Sequence, residues 1–346
     1  MLIEENKPLA PLTTIGVGGP ARYFLAAQSE EEIVEGSAWA QKHGLPLFIL
    51  GGGSNLVVSD NGFNGLVLHI ALHGVEAVEN ADRDQVLFRA AAGEDWDSFV
   101  QNAVEANCGG IECLAGIPGT VGGTPVQNVG AYGQEVAPVI DCVRAFDLRE
   151  RILVEFSAAE CKFAYRRSRF NSQDKSRYVV TRVDFLLRHN GTPTLKYADL
   201  KQALEADAQP SLAEVATLVR RIRQGKGMLL VPGDPDCRSA GSFFKNPVVP
   251  VAAVHTIAAI AGVSPPTYDA GPEQRKIPAA WLIEQAGFLK GYRCGAAGIS
   301  SRHTLALVNL GSATAAEILA LADEIRTSVA AKFGVQLERE PVLLGF

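Results

Sequence analysis

The sequence lacks the features that mark several classes of protein. Its six cysteines form no Cys-x-x-Cys pair, which disfavours both a disulfide framework and a zinc site. No apolar run approaches the roughly 18 residues that a membrane span requires. The first five residues carry neither the basic stretch nor the apolar stretch of a signal peptide. We therefore expect a soluble, cytoplasmic, globular protein that holds no metal and does not associate with a membrane.

Positive charge is also scarce, and no internal repeat occurs. The chain has 32 Lys and Arg against 38 Asp and Glu, a net charge of −6, so a nucleic-acid partner is not expected. Apolar residues make up 47% of the 346 positions and 34 residues are glycine. This composition supports a packed core rather than a disordered chain. The length predicts two domains, or three small ones.

Strand and helix signals alternate along the chain, which predicts an α/β or α+β fold. Residues 47–50 and 66–70 are predicted strands that follow a helix capped by Ser29 and Glu32. A second capping pair, Ser211 and Glu214, opens a helix with apolar side chains on one face. A stretch rich in Gly, Pro and Asp at 227–236 is a candidate domain boundary. A third capping pair, Thr314 and Glu317, opens a long helix whose apolar stripe includes Leu321 and Ile325. The last predicted strand covers residues 335–344.

The first of two glycine clusters follows a buried strand and is a candidate anion site. Gly51, Gly52 and Gly53 have no Cβ atoms, so successive N–H groups can face one anion such as a pyrophosphate. Ser54 and Asn55 add further donors. The alternative is a tight turn without a ligand, because a short glycine cluster is weak evidence by itself.

The second cluster extends over residues 116–133 and is too long and too rich in glycine for an ordinary connection. It suits a backbone wrapped around a flat, phosphorylated ligand. The alternative is a flexible surface loop, which the interleaved apolar residues Val121, Val126 and Val129 disfavour. The candidate binding residues of this cluster are Gly116, Ile117, Pro118, Gly119, Thr120, Gly122, Gly123, Asn128, Gly130, Ala131 and Tyr132.

Together the two clusters resemble the FAD-binding fold of the p-cresol-methylhydroxylase and vanillyl-alcohol-oxidase type of flavoprotein. Four later segments narrow this resemblance: Tyr-Arg-Arg-Ser-Arg-Phe at 165–170, Gly-Ser-Phe-Phe-Lys-Asn-Pro at 241–247, Trp-Leu-Ile-Glu at 281–284 and Leu-Glu-Arg-Glu at 337–340. With them, nearly the whole chain resembles the UDP-N-acetylenolpyruvoylglucosamine reductase family. The 241–247 segment is the most specific of the four.

This resemblance implies an α+β architecture with a two-part FAD-binding domain of the p-cresol-methylhydroxylase type. The two FAD-binding parts would be residues 1–72 and 73–224, and residues 335–346 would return to the first part. A smaller C-terminal α+β domain, residues 225–334, would bind the substrate.

The resemblance also implies NADPH-dependent reduction of UDP-N-acetylglucosamine enolpyruvate to UDP-N-acetylmuramate, a step of peptidoglycan synthesis. FAD would be held without a covalent bond, since neither glycine cluster contains His or Cys and the neighbours of Cys113 supply no activating base. A monomer is expected. Two alternatives stay open: a flavin oxidase of the same fold, and a protein that binds flavin or a UDP-sugar without catalysis.

Three residues are candidates for catalysis within the resemblance. Hydride addition to C3 of the enolpyruvyl group leaves carbanion character at C2, so the reaction requires a carboxylate-binding cation and a proton donor. Arg166 suits the first role and Ser242 the second, and Glu340 would protonate or orient the intermediate. The alternatives are a surface arginine, a turn or N-cap serine and a solvated edge-strand acid. Pro341 stands where the family commonly has an apolar residue.

Five further residues occupy positions where the resemblance implies contacts with the substrate. Tyr197 is similar to the lid tyrosine of one subtype of the family. For each of the five, a surface or core role without a ligand is the alternative. The set comprises Tyr197, Lys226, Asn246, Tyr268 and His303.

Overall fold

A computed structural model describes residues 1–79, 84–196, 198–204 and 209–346 of the chain. Tyr197 lies outside these described residues. In the described ranges no helix is both long and apolar enough to cross a membrane. The helices are α1 (Glu30–Lys42), α2 (Trp96–Glu105), α3 (Thr124–Gln127), α4 (Ala198–Gln202), α5 (Leu212–Gly225), α6 (Val251–Ala261), α7 (Ala279–Gln285) and α8 (Ala315–Phe333).

The strands are short, and most belong to antiparallel pairs. They are β1 (Glu4–Pro8), β2 (Pro20–Ala27), β3 (Leu47–Leu50), β4 (Leu56–Val58), β5 (Phe63–Ile70), β6 (Val75–Glu79), β7 (Gln85–Ala91), β8 (Cys108–Gly109), β9 (Gly130–Ala131), β10 (Gln134–Glu135), β11 (Ile140–Asp147), β12 (Ile152–Ser157), β13 (Tyr178–His189), β14 (Ser239–Ser242), β15 (Val248–Pro250), β16 (Tyr268–Asp269), β17 (Gln274–Lys276), β18 (Arg293–Cys294), β19 (Ala297–Ile299), β20 (Ala306–Asn309) and β21 (Val342–Leu344).

The chain divides into two compact units, each assembled from three separate segments. Unit 1 comprises Met1–Lys7, Ala21–Gly53 and Asn64–Gln224, and unit 2 comprises Pro8–Pro20, Ser54–Phe63 and Gly225–Phe346. The division into 1–72, 73–224 and 225–334 stays a prediction beside this grouping.

Unit 1 contains two larger sheets. The first has the strand order β1-β2-β5-β3, with β3 and β5 parallel and Leu47 opposite Leu66. The second has the order β12-β11-β13-β7-β6, with β8 added beside β13, and its pairs are antiparallel. In the second sheet β13 is the longest strand, and its central position lets it pack against helix α2.

Helix α2 shows why this part of the sequence folds as it does. Asp95 caps its first turn by accepting the N–H of Ser98. The apolar face of the helix buries Trp96 and Phe99 against Phe185 of β13, with ring centroids 5.8 and 4.9 Å apart. Burying an aromatic side chain of this size stabilises the fold by about 1.5–3 kcal/mol. This packing fixes the position of the N-terminal turn of α2.

Unit 2 has a four-stranded antiparallel sheet of order β14-β20-β19-β18, a three-stranded sheet of order β15-β17-β16 and a parallel pair formed by β4 and β21. Helix α8 begins with the predicted capping box of Thr314 and Glu317. Its buried stripe, which includes Leu321 and Ile325, packs in one core cluster with Phe243.

One strand prediction is wrong. Residues 335–341 are not part of a strand, and only Val342–Leu344 at the end of the predicted 335–344 element forms a strand, which pairs with β4. The alternation of buried and exposed side chains stops at Arg339 and Glu340, both half-buried. Pro341 has no N–H group to continue a ladder, and a single bridge between Phe244 and Arg339 is formed instead. Helix α6 was not predicted, because its apolar residues do not form a clear stripe.

Candidate active site

The two glycine clusters, far apart in the sequence, contact each other in unit 1. A Cβ atom on Gly52 would lie 2.6 Å from the Cα of Gly119, and one on Gly51 would lie 3.0 Å from the hydroxyl of Thr120. Real Cβ atoms do not approach backbone this closely, so only glycine allows this contact at position 52. The structure thus brings together backbone of both segments that the sequence marked as candidate anion sites.

Residues 119–122 of the second glycine cluster are also held by backbone hydrogen bonds with the start of α2 and the segment before it. The N–H of Trp96 donates to the carbonyl of Gly119 at 3.1 Å, and the N–H of Val121 donates to the carbonyl of Glu94 at 2.9 Å. The N–H of Gly122 donates to the carbonyl of Ala92 at 2.8 Å. The cluster is therefore a fixed element and not the flexible surface loop of the alternative hypothesis.

Ionic side chains from two helices clamp the first residue of this cluster. Asp97 of α2 accepts the N–H of Gly116 at 2.6 Å, and Arg220 of α5 donates to the same carboxylate oxygen of Asp97 at 2.7 Å. The Nε of Arg223, also on α5, donates to the carbonyl of Gly116 at 2.9 Å. Both polar groups of one peptide position are thus bound by charged side chains.

Arg223 is buried and connects the two ends of the cluster. Burial lowers the pKa of its guanidinium, and a hydrogen bond with the side chain of Tyr132 opposes that shift. A buried guanidinium requires such partners, because an uncompensated charge in the interior is costly. Sequence reasoning missed Arg223. The signal was its position four residues after Val219, on the apolar face of α5.

A buried polar cluster closes the base of the same segment. Gln134, just after the glycine cluster, donates to the buried Glu112 at 2.6 Å and accepts the N–H of Cys113 at 2.7 Å. Glu112 also accepts the N–H of Thr194 at 2.8 Å. Burial raises the pKa of the Cys113 thiol to about 12, so this thiol is protonated at neutral pH.

Arg166 lies at the tip of a two-residue turn in unit 1. Ala164 and Arg167 exchange two backbone hydrogen bonds of 2.9 and 3.0 Å, which leaves Tyr165 and Arg166 between them. Arg166 has a φ of +54°, in the left-handed region that costs a non-glycine residue about 1–2 kcal/mol. Arg166 is half-buried and Arg167 is exposed. Strain of this kind concentrates at functional sites.

The second glycine cluster anchors this turn. The side chain of Asn128, itself in the left-handed region with a φ of +47°, donates to the carbonyl of Ala164 at 3.1 Å. The hydroxyl of Ser168 donates to the carbonyl of Val126 at 2.7 Å. Arg166 is thereby fixed relative to the candidate cofactor segment, a link that the sequence did not reveal.

Ser242 and Glu340 lie on neighbouring backbone segments of unit 2. Ser242 ends β14 opposite Ala306 of β20. The N–H of Glu340 donates at 3.0 Å to the carbonyl of Phe243, the residue after Ser242. Both Ser242 and Glu340 are half-buried. Two of the three catalytic candidates are therefore brought together within one unit, although 98 positions separate them in the sequence.

Asn55, a candidate cofactor-binding residue, lies beside the same acid. Its side chain donates to the carbonyl of Glu340 at 3.2 Å, and its own carbonyl accepts the N–H of Val342 at 2.9 Å. These bonds continue the parallel pairing of β4 with β21. Asn55 thus determines the position of the Glu340 backbone.

Four of the five substrate candidates lie among the described residues, all in unit 2. The side-chain oxygen of Asn246 accepts the N–H of Ala279 at 2.9 Å, which joins Asn246 to the first turn of α7. Tyr268 is exposed on β16, and Lys226 and His303 are half-buried. Tyr197 lies outside the described residues, so its place stays a prediction.

Comparison with known proteins decides the family. A model of the FAD binding domain matches residues 21–149, and a model of the C-terminal domain of UDP-N-acetylenolpyruvoylglucosamine reductase matches residues 234–344. The protein of that name from Thermobifida fusca is 46% identical, over 99% of this chain and 98% of its own length. The protein from Streptomyces coelicolor is 47% identical, over 99% of this chain and 90% of its own.

The chain belongs to the UDP-N-acetylenolpyruvoylglucosamine reductase family. A crystal structure of a reductase of this family from Thermus caldophilus superposes with a TM-score of 0.67 at 27% identity, and covers 99% of this chain and all of the other. The family and the α+β fold predicted from the motifs are confirmed, as is the order of an FAD-binding domain followed by a reductase C-terminal domain. The protein is an FAD-containing oxidoreductase.

The residues present fit FAD. The hydroxyl oxygen of Thr120 is buried and has no hydrogen-bond partner within the described structure, a situation that costs free energy unless a ligand supplies one. This hydroxyl lies where the two glycine clusters touch. Backbone N–H groups without side chains, together with a free hydroxyl, are the donors that a diphosphate requires. The roles of individual residues of this chain in binding and catalysis stay predictions.

Proposed function

We propose that this protein reduces UDP-N-acetylglucosamine enolpyruvate to UDP-N-acetylmuramate with NADPH, as a monomer in the cytoplasm. Membership of a family whose relatives carry the name UDP-N-acetylenolpyruvoylglucosamine reductase supports the reaction. One structural observation carries the proposal furthest: the backbone hydrogen bond that places Glu340 beside the Ser242–Phe243 segment. A serine and an acid from distant parts of the chain in this arrangement suit proton delivery, which pure binding does not require.

Arg166 binds the carboxylate of the enolpyruvyl group in this proposal. A guanidinium is charged at every physiological pH and matches a carboxylate with two parallel N–H bonds. The strained turn that carries Arg166, anchored by Asn128, presents the side chain in one orientation. Negative charge that develops on the carboxylate oxygens during reaction is then stabilised by a group already in position.

FAD, when bound, supplies the hydride that it takes from NADPH and that adds to C3 of the enolpyruvyl group. Gly51, Gly52 and Gly53 with the second glycine cluster would hold its diphosphate, and Ser54 and Asn55 would add donors.

Ser242 delivers the proton to C2 through its hydroxyl oxygen. A serine hydroxyl is a weak acid, so proximity and a neighbouring group must assist the transfer. Glu340 is that neighbour, and its carboxyl orients Ser242 or replaces the proton that Ser242 gives up. Asn55 and the carbonyl of Phe243 hold the Glu340 backbone at 3.2 and 3.0 Å.

The Ser242→Ala variant tests this proposal. NADPH should still reduce the flavin at the wild-type rate, and reoxidation by the enolpyruvyl substrate should slow about 10²- to 10⁴-fold, the range that general acid catalysis contributes. Ser264→Ala, at an exposed position of the same unit, is the matched control. Near-normal reoxidation in Ser242→Ala would remove Ser242 from the mechanism. The experiment is performed without oxygen, and reoxidation that occurs only with oxygen would indicate a flavin oxidase instead.

FAD is held without a covalent bond in this proposal. Cys113 is the cysteine nearest in sequence to the second glycine cluster, and its buried thiol, with a pKa raised to about 12, donates to the carbonyl of Thr194 at 3.2 Å. Such a thiol does not attack flavin, because only the thiolate is the nucleophile. Acid precipitation should therefore release all flavin absorbance into the supernatant. Flavin in the pellet with a matching mass increase of the chain would contradict this.

A further inference from the structure

Residues 227–236 form a loop that is closed at its base. A Cβ atom on Gly227 would lie 3.0 Å from the Cβ of Asp236, so the chain returns to its starting point within nine residues. The thiol of Cys237, the residue after this loop, donates to the carbonyl of Leu229 at 2.7 Å, and within the loop the N–H of Asp234 donates to the carbonyl of Val231 at 3.1 Å. We call residues 227–236 the closed loop.

Arg302 lies across the base of the closed loop. Its Nη2 donates to the carboxylate of Asp234 at 2.5 Å, and its Nε donates to Asp236 at 2.9 Å. A Cβ on Gly227 would meet the guanidinium at 3.2 Å, so Arg302 touches both ends of the loop. Asp236 also accepts the hydroxyl of Ser301 at 2.7 Å. The base is therefore an ion cluster that includes the turn before β20.

The two neighbours of this cluster in the sequence are both candidate substrate contacts. Lys226 directly precedes Gly227, and His303 directly follows Arg302. Because Gly227 packs on the guanidinium of Arg302, the side chain of Arg302 links the backbone that carries Lys226 to the turn that carries His303. The length of the closed loop does not affect this arrangement, since the chain enters and leaves at one point.

We propose that Arg302 is a positioning residue for substrate binding, which sets the places of Lys226 and His303 through its bonds to Asp234 and Asp236. The inference rests on the proposed function, because the UDP-sugar is the ligand that Lys226 and His303 would contact. Lys226 suits the diphosphate as a compact positive charge, and His303 adds a hydrogen-bonding ring. Arg302 itself is occupied by two carboxylates and contributes by geometry.

The chemistry of the cluster explains why arginine is required at this position. One guanidinium reaches two carboxylates at once because its donors form a rigid planar fork. Lysine would keep the charge but could not bridge both acids in the same plane. Glutamine would keep two donors but leave Asp234 and Asp236 as neighbouring like charges, which repel. Either change lets the ends of the closed loop separate, and Lys226 moves with them.

The test compares Arg302→Gln and Arg302→Lys with two controls. Arg293→Gln removes an exposed arginine from β18, and Leu230→Ala alters an exposed side chain of the closed loop away from its base. For each protein, the KM of the enolpyruvyl substrate is measured, together with flavin content, the rate of flavin reduction by NADPH, and the midpoint of thermal unfolding.

We expect Arg302→Gln to raise the KM about tenfold and Arg302→Lys to raise it less. An effect of this size is typical of a change that acts on a site through a network of packed residues. Flavin content and the rate of reduction by NADPH should stay at wild-type values, and both controls should match wild type throughout. Asp234→Asn should raise the KM in the same way and should add little to Arg302→Gln, because both remove one cluster. Asp234→Asn also decides the question if Arg302→Gln does not fold.

Two outcomes would overturn the inference, and they are distinguishable. A KM within twofold of wild type in both Arg302→Gln and Asp234→Asn, with a lower unfolding midpoint, would make the cluster merely structural and leave the proposed function intact. Failure of the wild-type protein to reoxidise its flavin with the enolpyruvyl substrate would overturn the proposed function, and the inference with it.

Discussion

The second glycine cluster in unit 1 and the closed loop in unit 2 are both segments without long regular elements, yet they are held differently. A cluster of polar side chains closes each at its base: Glu112 with Gln134 in the first, Arg302 with two aspartates in the second. Away from that base, residues 119–122 of the glycine cluster are also held by backbone bonds with Ala92, Glu94 and Trp96 and by the contact with Gly52. In the closed loop, the hydrogen bonds described above join Asp234 and Asp236 at its base to Arg302, and join Asp234 to Val231 within the loop.

This difference indicates which segment tolerates change. A segment whose backbone forms part of a cofactor site must be fixed in place, because a small shift of the backbone moves every donor that faces the ligand. A segment that only brings two side chains together needs to be fixed at its ends. Substitutions in the glycine cluster should therefore affect flavin binding, and those in the middle of the closed loop should have little effect.

The largest effect is expected where the two glycine clusters touch. Gly52→Ala would place a Cβ 2.6 Å from the Cα of Gly119, and backbone cannot yield as a flexible side chain does. Overpacking of about 1–3 kcal/mol should weaken FAD binding by about 10- to 100-fold. Titration of the apoprotein with FAD by flavin fluorescence measures this change.

The matched control is Gly225→Ala at the end of α5, where a Cβ atom would meet nothing within 4 Å. Its FAD affinity should equal that of the wild type. Equal affinities for Gly52→Ala and wild type would show that the contact between the clusters does not shape the cofactor site.

A smaller effect is expected from the clamp on Gly116. Arg223→Lys keeps the charge but loses the Nε that donates to the carbonyl of Gly116 at 2.9 Å. Loss of a hydrogen bond to a charged group costs about 1.5–3 kcal/mol, part of which the lysine recovers, so FAD affinity should fall about tenfold. Arg221→Lys, at an exposed neighbouring position of α5, should leave FAD affinity unchanged. Equal losses in both variants would mean that the bond from Arg223 to Gly116 is not what links α5 to FAD affinity.

The smallest effect is expected from the ion cluster at the base of the closed loop, as a change of folding stability with pH. A hydrogen bond from Arg302 lowers the pKa of Asp234, and for Asp236 the bonds from Ser301 and Arg302 outweigh burial, which alone would raise its pKa. Because both pKa values are lowered on folding, the cluster stabilises the protein above the ordinary aspartate pKa of about 4. This stabilisation is lost as the pH falls through the lowered values.

The measurement is the unfolding midpoint of wild type and Arg302→Gln between pH 3 and 7. At pH 6 the wild type should have a higher unfolding midpoint than Arg302→Gln. Each kcal/mol of stability that the cluster contributes should raise the midpoint by about 2–4 °C. The difference should shrink below about pH 4. A difference that is constant down to pH 3 would mean that the two aspartates are not the partners through which Arg302 stabilises the fold.

Local signals in the sequence predicted much of the fold. The helix begun by the Thr314 capping box has the predicted start and apolar stripe, because capping and amphipathic periodicity depend on residues within a few positions. The strand prediction for 335–341 failed because the partners of that segment are the backbone groups of residues 243–245. Such partners cannot be identified from local periodicity.

The same distinction holds for the candidate site. The glycine clusters and the segments that carry Arg166, Ser242 and Glu340 were recognisable, because those residue types at those spacings are specific to the family. Asp97, Arg220 and Arg223 were not recognised, since their role depends on a helix from elsewhere in the chain reaching Gly116.

The sequence by itself determined the family, the cofactor class and the residue types available for chemistry. Only the tertiary structure decided that Gly52 touches Gly119, that Glu340 lies beside the Ser242–Phe243 segment and that Arg302 closes a loop next to Lys226. The physical reason is that each motif consists of residues close together in the sequence, whereas these contacts join residues from 67 to 97 positions apart. Their geometry arises when the cores that carry those segments pack.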